Sequence, residues 1–146
     1  MSRPKRPEHA VTLDLKVAFY QCDPLAVAWH GRYFEWFEQA RSALFASIGL
    51  EIGQIRDLGH RMYVVDARCR YMAPLAYGDP VRVTAWFIAA APLIRVGYDI
   101  YNPDSDRWCA RAFTVLATTD ANGVLLTKTP DSIVRRVPVA SPPARG

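Results

Sequence analysis

From Val11 the chain alternates: Val11, Leu13, Leu15, Val17 and Phe19 are apolar, with Thr12, Asp14, Lys16 and Ala18 between them. A period of two puts successive side chains on opposite faces, so this stretch predicts a half-buried strand running to about Tyr20 or Gln21. Pro24 breaks the alternation, and residues 22–28 predict a loop. From Gly31 the spacing lengthens. Tyr33, Phe34, Phe37, Ala40, Arg41, Leu44, Phe45 and Ile48 recur at three and four, which is the helical period. Gly49 stands where a helix stop is expected. The stripe is wide and aromatic, so this helix should be deeply buried.

Residues 51–58 predict a short helix ending near Gly59, and strands follow over 61–73, 81–90, 93–101 and 108–119. Turns separate them at 77–80, near Pro92 and at 102–106. Asp120-Ala121-Asn122-Gly123 is a hairpin signal leading into a further strand over 124–128. One strand, one long buried helix and four or five antiparallel strands predict an α+β fold, with the helix on one sheet face and sequential pairing. We find no internal repeat and no interior linker. The organisation expected is a single domain over 11–134, with a flexible basic tail over 1–10 and a flexible Pro-rich tail over 135–146.

Composition narrows the classes. A chain of 146 residues, 51% hydrophobic and 22% charged, fits one globular domain with its own core. No apolar run approaches the roughly 20 residues that cross a bilayer, and no apolar core follows the basic N-terminus as in a secretory signal. No membrane partner is therefore expected. The net charge of +4 sits at the ends, because residues 11–130 sum to zero. Phosphate-backbone binding needs a clustered basic face, so no nucleic-acid partner is expected either. Cys22, Cys69 and Cys109 are odd in number, far apart and without a CxxC pair, and His9, His30 and His60 are scattered. Neither a metal site nor a disulfide framework is expected, and free thiols suit a cytoplasmic location.

The candidate chemistry lies in residues 20–31, Tyr-Gln-Cys-Asp-Pro-Leu-Ala-Val-Ala-Trp-His-Gly. An acid, a thiol and an imidazole gather just before a helix N-terminus, which offers unpaired N–H groups and a partial positive charge. A carbonyl placed there would be polarised, and a nearby carboxylate could attack it or activate a water. This suggests acyl transfer or hydrolysis, although from these residues alone a plain loop or turn acid is the favoured reading of Asp23. Cys22 is more simply a small buried hydrophobe than a nucleophile. Glu38 and Arg41, three apart, are explained by an ion pair on the helix. Tyr33, Trp36, Tyr63 and Tyr71 could line a pocket or a surface.

Residues 17–49 resemble the signature of the hotdog-fold acyl-CoA thioesterases of the 4-hydroxybenzoyl-CoA thioesterase group. That signature has an Asp after the first strand, an aromatic or His seven residues on, then Tyr, and Glu-x-Ala-Arg on the helix. Asp23, His30, Tyr33, Glu38, Ala40 and Arg41 fall on those positions. Residues 65–71 and 74–80 match more loosely. The resemblance implies a hotdog fold, a curved antiparallel sheet of five to six strands wrapped around one long central helix. It also implies a homodimer or homotetramer with active sites at the subunit interface.

The implied activity is hydrolysis of an acyl-CoA or acyl-carrier-protein thioester, with coenzyme A as part of the substrate and no separate cofactor. Asp23 would be the nucleophile or general base, with His30 as the second catalytic residue. Backbone N–H groups around His30 and Gly31 would polarise the carbonyl, and Gly31, Arg32 and Tyr33 would contact substrate. Two positions depart from the pattern. Ala26 stands where the family often has Gly, and Arg32 where it often has Asn. Arg32 could reach phosphates or simply point into solvent. The fold also hosts dehydratases and suits non-catalytic acyl-CoA or acyl-carrier binding proteins. The Asp-Pro-x-Ala and Glu-x-Ala-Arg wording argues against a dehydratase.

Overall fold

The computed structural model describes residues 5–139. Among these, five strands form one antiparallel sheet: β1 (Val11–Lys16), β2 (Met62–Tyr71), β3 (Pro80–Ala89), β4 (Ile94–Asn102) and β5 (Arg107–Thr118). The helices are α1 (Tyr33–Ser47), α2 (Ile52–Asp57) and the one-turn α3 (Asp131–Val134). α1 turns Tyr33, Trp36, Phe37, Ala40, Leu44 and Phe45 into the core, the helical stripe expected from the sequence. It ends on Gly49, whose φ of 71° is left-handed. There Gly49 N–H bonds to Ala46 O and Leu50 N–H to Phe45 O, the paired reverse bonds of a glycine-terminated helix.

The sheet face toward α1 carries Val81, Val83, Ala85 and Phe87 of β3, Ile94, Val96, Tyr98 and Ile100 of β4, and Ala110 and Ala112 of β5, all buried. Burying each large apolar side chain contributes about 1.5–3 kcal/mol, so this layer holds most of the fold's hydrophobic stabilisation. β2 differs. It lies at the sheet edge and is largely exposed along its length.

The strand order is β1-β3-β4-β5-β2, which corrects the expected sequential pairing. β3, β4 and β5 do form a sequential meander. β1 pairs with β3 and β2 with β5, because α1 and α2 intervene between β1 and β2 and the chain re-enters at the opposite edge. β1 also stops at Lys16, short of Tyr20. Val17 N–H bonds to Asp79 O, Phe19–Gln21 form a 3-10 turn, and Phe19 and Tyr20 are exposed. The strand expected over 124–128 reduces to a single bridge between Thr119 and Leu125.

α3 was not legible in the sequence, since four residues carry no period, yet its Ile133 is fully buried. Parts of both expected tails are docked. Arg6 binds Asp99 and His9 accepts from the Phe87 N–H, while Val137 reaches the core. The remainder of those tails, residues 1–4 and 140–146, lies outside the described residues.

Candidate active site

The loop between β1 and α1 is a small hairpin. Cys22 bridges Ala28, Asp23 N–H bonds to Val27 O, and Trp29 N–H returns to Gln21 O. The hairpin is fastened to the segment before β3, with Ala28 N–H on Leu75 O and Tyr77 N–H on Ala26 O. At its tip Ala26 takes a φ of 63°, a conformation that favours glycine. Asp23 is half-buried, and its Oδ1 accepts from Leu25 N–H at 2.8 Å. Its other carboxylate oxygen has no partner among the described residues.

A 3-10 turn, His30–Arg32, runs directly into α1. Within it, Arg32 N–H bonds to Trp29 O and Tyr33 N–H to His30 O. The N–H groups of His30 and Gly31 begin the turn and meet no acceptor among the described residues. A Cβ on Gly31 would lie 2.2–2.7 Å from three ring atoms of Trp29, so any larger residue there needs the indole or the turn to move.

His30 and Tyr33 meet Ala28, Tyr71, Met72, Ala73 and Pro74 around an open cavity of 290 Å³. The Tyr71 hydroxyl donates to His30 O at 2.8 Å, and its ring packs edge-on against Tyr33 and His30. Burial raises the Tyr33 phenol far above its ordinary value, reinforced by Cys109, Cys69 and Tyr71 nearby; a bond with the Leu75 backbone opposes the shift. Tyr71 is pushed up to about 12, by desolvation first and by Cys69 second. Burial likewise raises Cys69, and takes Cys109 to about 11.

Asp23, Gly31 and Arg32 do not line this cavity. Arg32 folds back on its own side of the turn, with Nη1 on Glu35 Oε1 at 2.7 Å and Nη2 on Tyr20 O at 3.4 Å. The ion pair expected between Glu38 and Arg41 is absent among the described residues, since Arg41 Nη1 reaches the Tyr98 hydroxyl at 3.4 Å instead. Of the four candidate aromatics, Tyr33 and Tyr71 line the small cavity, Trp36 is core, and Tyr63 faces a second cavity of 530 Å³. That second cavity lies between α1, α2 and β2, with Phe45, Leu50, Ile55 and Leu116 among its apolar lining and Glu38, Arg41 and Glu51 as its charges. Tyr71 and Cys69 reach the site only through the pairing of β2 with β5, a signal that local sequence does not carry.

Residues 17–137 match the family model of the thioesterase-like superfamily. The chain is 35% identical over 68 residues to a protein named as an esterase in Aquifex aeolicus (strain VF5), a match covering 47% of this chain and 53% of that relative, so about half of its length. It is 30% identical over 96 residues to YneP of Bacillus subtilis (strain 168), named as an acyl-CoA thioesterase, covering 65% of this chain and 70% of that one. Among solved structures it is similar to Slr0204, a 1,4-dihydroxy-2-naphthoyl-CoA thioesterase from Synechocystis, with a TM-score of 0.75 and 20% identity, covering 88% of this chain and 95% of that one. Among the described residues no helix is long and apolar enough to cross a membrane.

Proposed function

The chain belongs to the thioesterase-like superfamily, and we propose that it hydrolyses an acyl thioester of coenzyme A, or of an acyl carrier protein, to the free acid and thiol. One observation carries the reading: Asp23, whose second carboxylate oxygen has no partner among the described residues, stands on the hairpin that leads into a helical turn whose His30 and Gly31 N–H groups meet no acceptor among those residues. In this mechanism those two N–H groups hold the thioester oxygen and stabilise the negative charge that develops on it. Asp23 attacks the carbonyl carbon, expelling the thiolate and leaving a mixed anhydride that water then cleaves; or it takes a proton from the water that attacks directly. His30 and Tyr33 wall the space beside the thioester. Coenzyme A enters as part of the substrate, and the chain's own groups supply the chemistry.

We assign the working form to a homodimer or homotetramer with its sites at the subunit interface. In support, the outer edge of β2 has no pairing strand among the described residues, and Tyr63, Val64, Val65, Tyr71 and Met72 along it are exposed. Such an edge invites pairing with a second strand. Tyr71 and Met72 also line the small cavity, so a second copy on this edge would close it. The three cysteines are free, which suits the cytoplasm as its location.

The test is a panel of short, long and aromatic acyl-CoA thioesters given to the wild type and to Asp23→Asn. Product acid is followed by chromatography, because Cys22, Cys69 and Cys109 would react with thiol dyes. Asparagine keeps an oxygen for the Leu25 N–H, so the loop survives and only the charge is lost. The expected result is hydrolysis by the wild type, reduced about a hundredfold or more in the variant. Undiminished turnover in Asp23→Asn would remove Asp23 from the mechanism. Tight binding of every thioester with no hydrolysis would favour a non-catalytic binding protein, and release of water from a hydroxyacyl thioester a dehydratase. Single turnover in heavy-oxygen water separates the two mechanisms, since attack by Asp23 leaves label in its carboxylate.

A further inference from the structure

We infer that the outer face of the sheet, where β2 and β5 meet, docks an acidic carrier protein that presents the acyl group as a thioester on its flexible arm. The inference rests on thioester hydrolysis as proposed above and names the partner that delivers the substrate. In the register of β2 with β5, Tyr71 lies opposite Ala110 and turns toward α1. The neighbouring pairs, Arg70 with Arg111 and Arg68 with Phe113, therefore point to the other face. Arg68, Arg70 and Arg111 are exposed, and none has an ion pair or hydrogen bond among the described residues. Like charges set directly across two strands destabilise the pair, so Arg70 opposite Arg111 is a cost to the fold.

The surroundings neutralise this patch only in part. Asp99 lies opposite Arg111 on β4, but Arg6 already holds its Oδ2 at 2.6 Å. Asp66 is the nearby acid on β2, and beyond Phe113 another cation follows, Arg95, its guanidinium 4.6 Å from that ring. On this face Arg68, Arg70, Arg111 and Arg95 outnumber Asp66 and Asp99, although residues 11–130 sum to zero, so positive charge is in excess here on a neutral body. Gathered charge steers an anionic partner and sets its orientation.

The shape of the face selects the partner. The three arginines line neither the 290 Å³ nor the 530 Å³ cavity. Small ligands are held in concave pockets, whereas an exposed sheet face with spread charges matches the surface of another protein. The face is also adjacent to the chemistry. Tyr71 follows Arg70 directly and lines the small cavity with Met72, Ala73 and Pro74. An arm from a protein seated on the arginines enters by passing the C-terminal end of β2.

The experiment presents one octanoyl group on three thiols: a small acidic acyl carrier protein, coenzyme A, and N-acetylcysteamine. The wild type is compared with R68Q/R70Q/R111Q and with the charge-reversed R68E/R70E/R111E. Binding of the holo carrier protein is measured beside turnover, by titration calorimetry at low and high salt. The expected result is a KM for the carrier-borne substrate raised about tenfold in the glutamine variant and further in the glutamate variant, with kcat kept. The N-acetylcysteamine thioester should be hydrolysed equally by all three proteins, and salt should weaken carrier binding only in the wild type. Equal carrier binding by all three proteins overturns the proposal. So does an equal rise in KM for the coenzyme A thioester, which would reassign the arginines to nucleotide phosphates. Carrier binding that depends on the arginines, without hydrolysis of any of the three thioesters, would uphold the docking face and overturn the hydrolase reading.

Discussion

The phenol of Tyr71 donates to the main-chain carbonyl of His30 across 2.8 Å and so ties the edge strand β2 to the turn that opens α1. That carbonyl shares a peptide plane with the Gly31 N–H, and in a trans peptide the two point in opposite directions. Holding one therefore aims the other. A bond to the carbonyl also polarises the peptide and strengthens its N–H as a donor. Tyr71→Phe keeps the ring 4.8 Å from Tyr33 and removes only the tether. Loss of a direct oxyanion donor costs about a hundredfold or more, so loss of its tether should lower kcat about tenfold and leave KM unchanged. Steady-state kinetics decides the matter, since a rise in KM alone would make Tyr71 merely a wall of the cavity.

Gly31 is the point at which the site depends on a missing atom. A Cβ would meet the Trp29 ring at 2.2 Å, so Gly31→Ala must displace either the indole or the turn. We expect kcat/KM to fall about a hundredfold, in line with a lost oxyanion donor. Trp29 is half exposed, so its removal is tolerable. In Trp29→Ala/Gly31→Ala the clash is gone, and activity should return to that of Trp29→Ala alone. Additive losses in this cycle would show that Gly31 matters for a reason other than the indole.

α1 and its stop were legible because both are local: a stripe at three and four, then Gly49 at the one position that needs a left-handed residue. That Asp23, His30 and Gly31 share one loop and helix start was legible for the same reason, since they lie within nine residues of one another. Tyr71 was not. Its place beside His30 depends on β2 joining β5 at the far edge, and strand order is a property of the whole chain. The Glu38–Arg41 pair fails similarly, because Tyr98, 57 residues away, offers Arg41 a hydroxyl. The i,i+3 pair that does form is Arg32 with Glu35, which takes the guanidinium out of the cavity.

His9 makes the N-terminal segment sensitive to pH. Its Nε2 accepts the Phe87 N–H at 2.9 Å, which requires a neutral ring, and burial lowers its pKa below the ordinary 6.5. Above that value the folded and unfolded chains are both neutral at this site, and stability is unaffected. Below it the unfolded chain takes up a proton that the folded chain refuses, so stability falls as pH drops, until the folded pKa is passed. His9→Gln keeps an acceptor without titrating. Urea unfolding between about pH 7.5 and about pH 5 should show a loss in the wild type that is smaller in the variant. Equal slopes in the two proteins would place the titration elsewhere.

Arg6 should matter more than its place near the chain end suggests. Its guanidinium closes on a nearly fully buried Asp99 at 2.6 Å and stacks 3.9 Å from the Trp86 ring centroid. Removing one partner of a buried pair weakens the hold on the other charge, and the cost in such pairs reaches roughly 3 kcal/mol. Arg6→Ala should lose about that much in chemical denaturation, and Arg6→Ala/Asp99→Asn should recover part of it. A loss within about 0.5 kcal/mol, as for an ordinary surface substitution, would mean that Arg6 does not hold this face.

Ala26 holds a backbone conformation that suits glycine. At a φ of 63° an L-residue with a Cβ is strained by about 1–2 kcal/mol, and this one keeps its place through Ala26 N–H on Asp23 O and Tyr77 N–H on its own carbonyl. Ala26→Gly relieves the strain but adds freedom to the unfolded chain, worth about 0.4–1 kcal/mol in the other direction. The net expectation is a gain of roughly 0.5–1 kcal/mol, read as a higher denaturation midpoint with an unchanged slope. Ala26→Val sharpens the test, because a β-branched residue fits the left-handed region worse than alanine. Since Asp23 sits on the same hairpin, Val should lower both stability and kcat/KM, while Gly leaves turnover unaltered. Should Val prove as stable as Ala, the left-handed geometry of this tip would be wrong, and with it the path that carries the chain from Asp23 to His30.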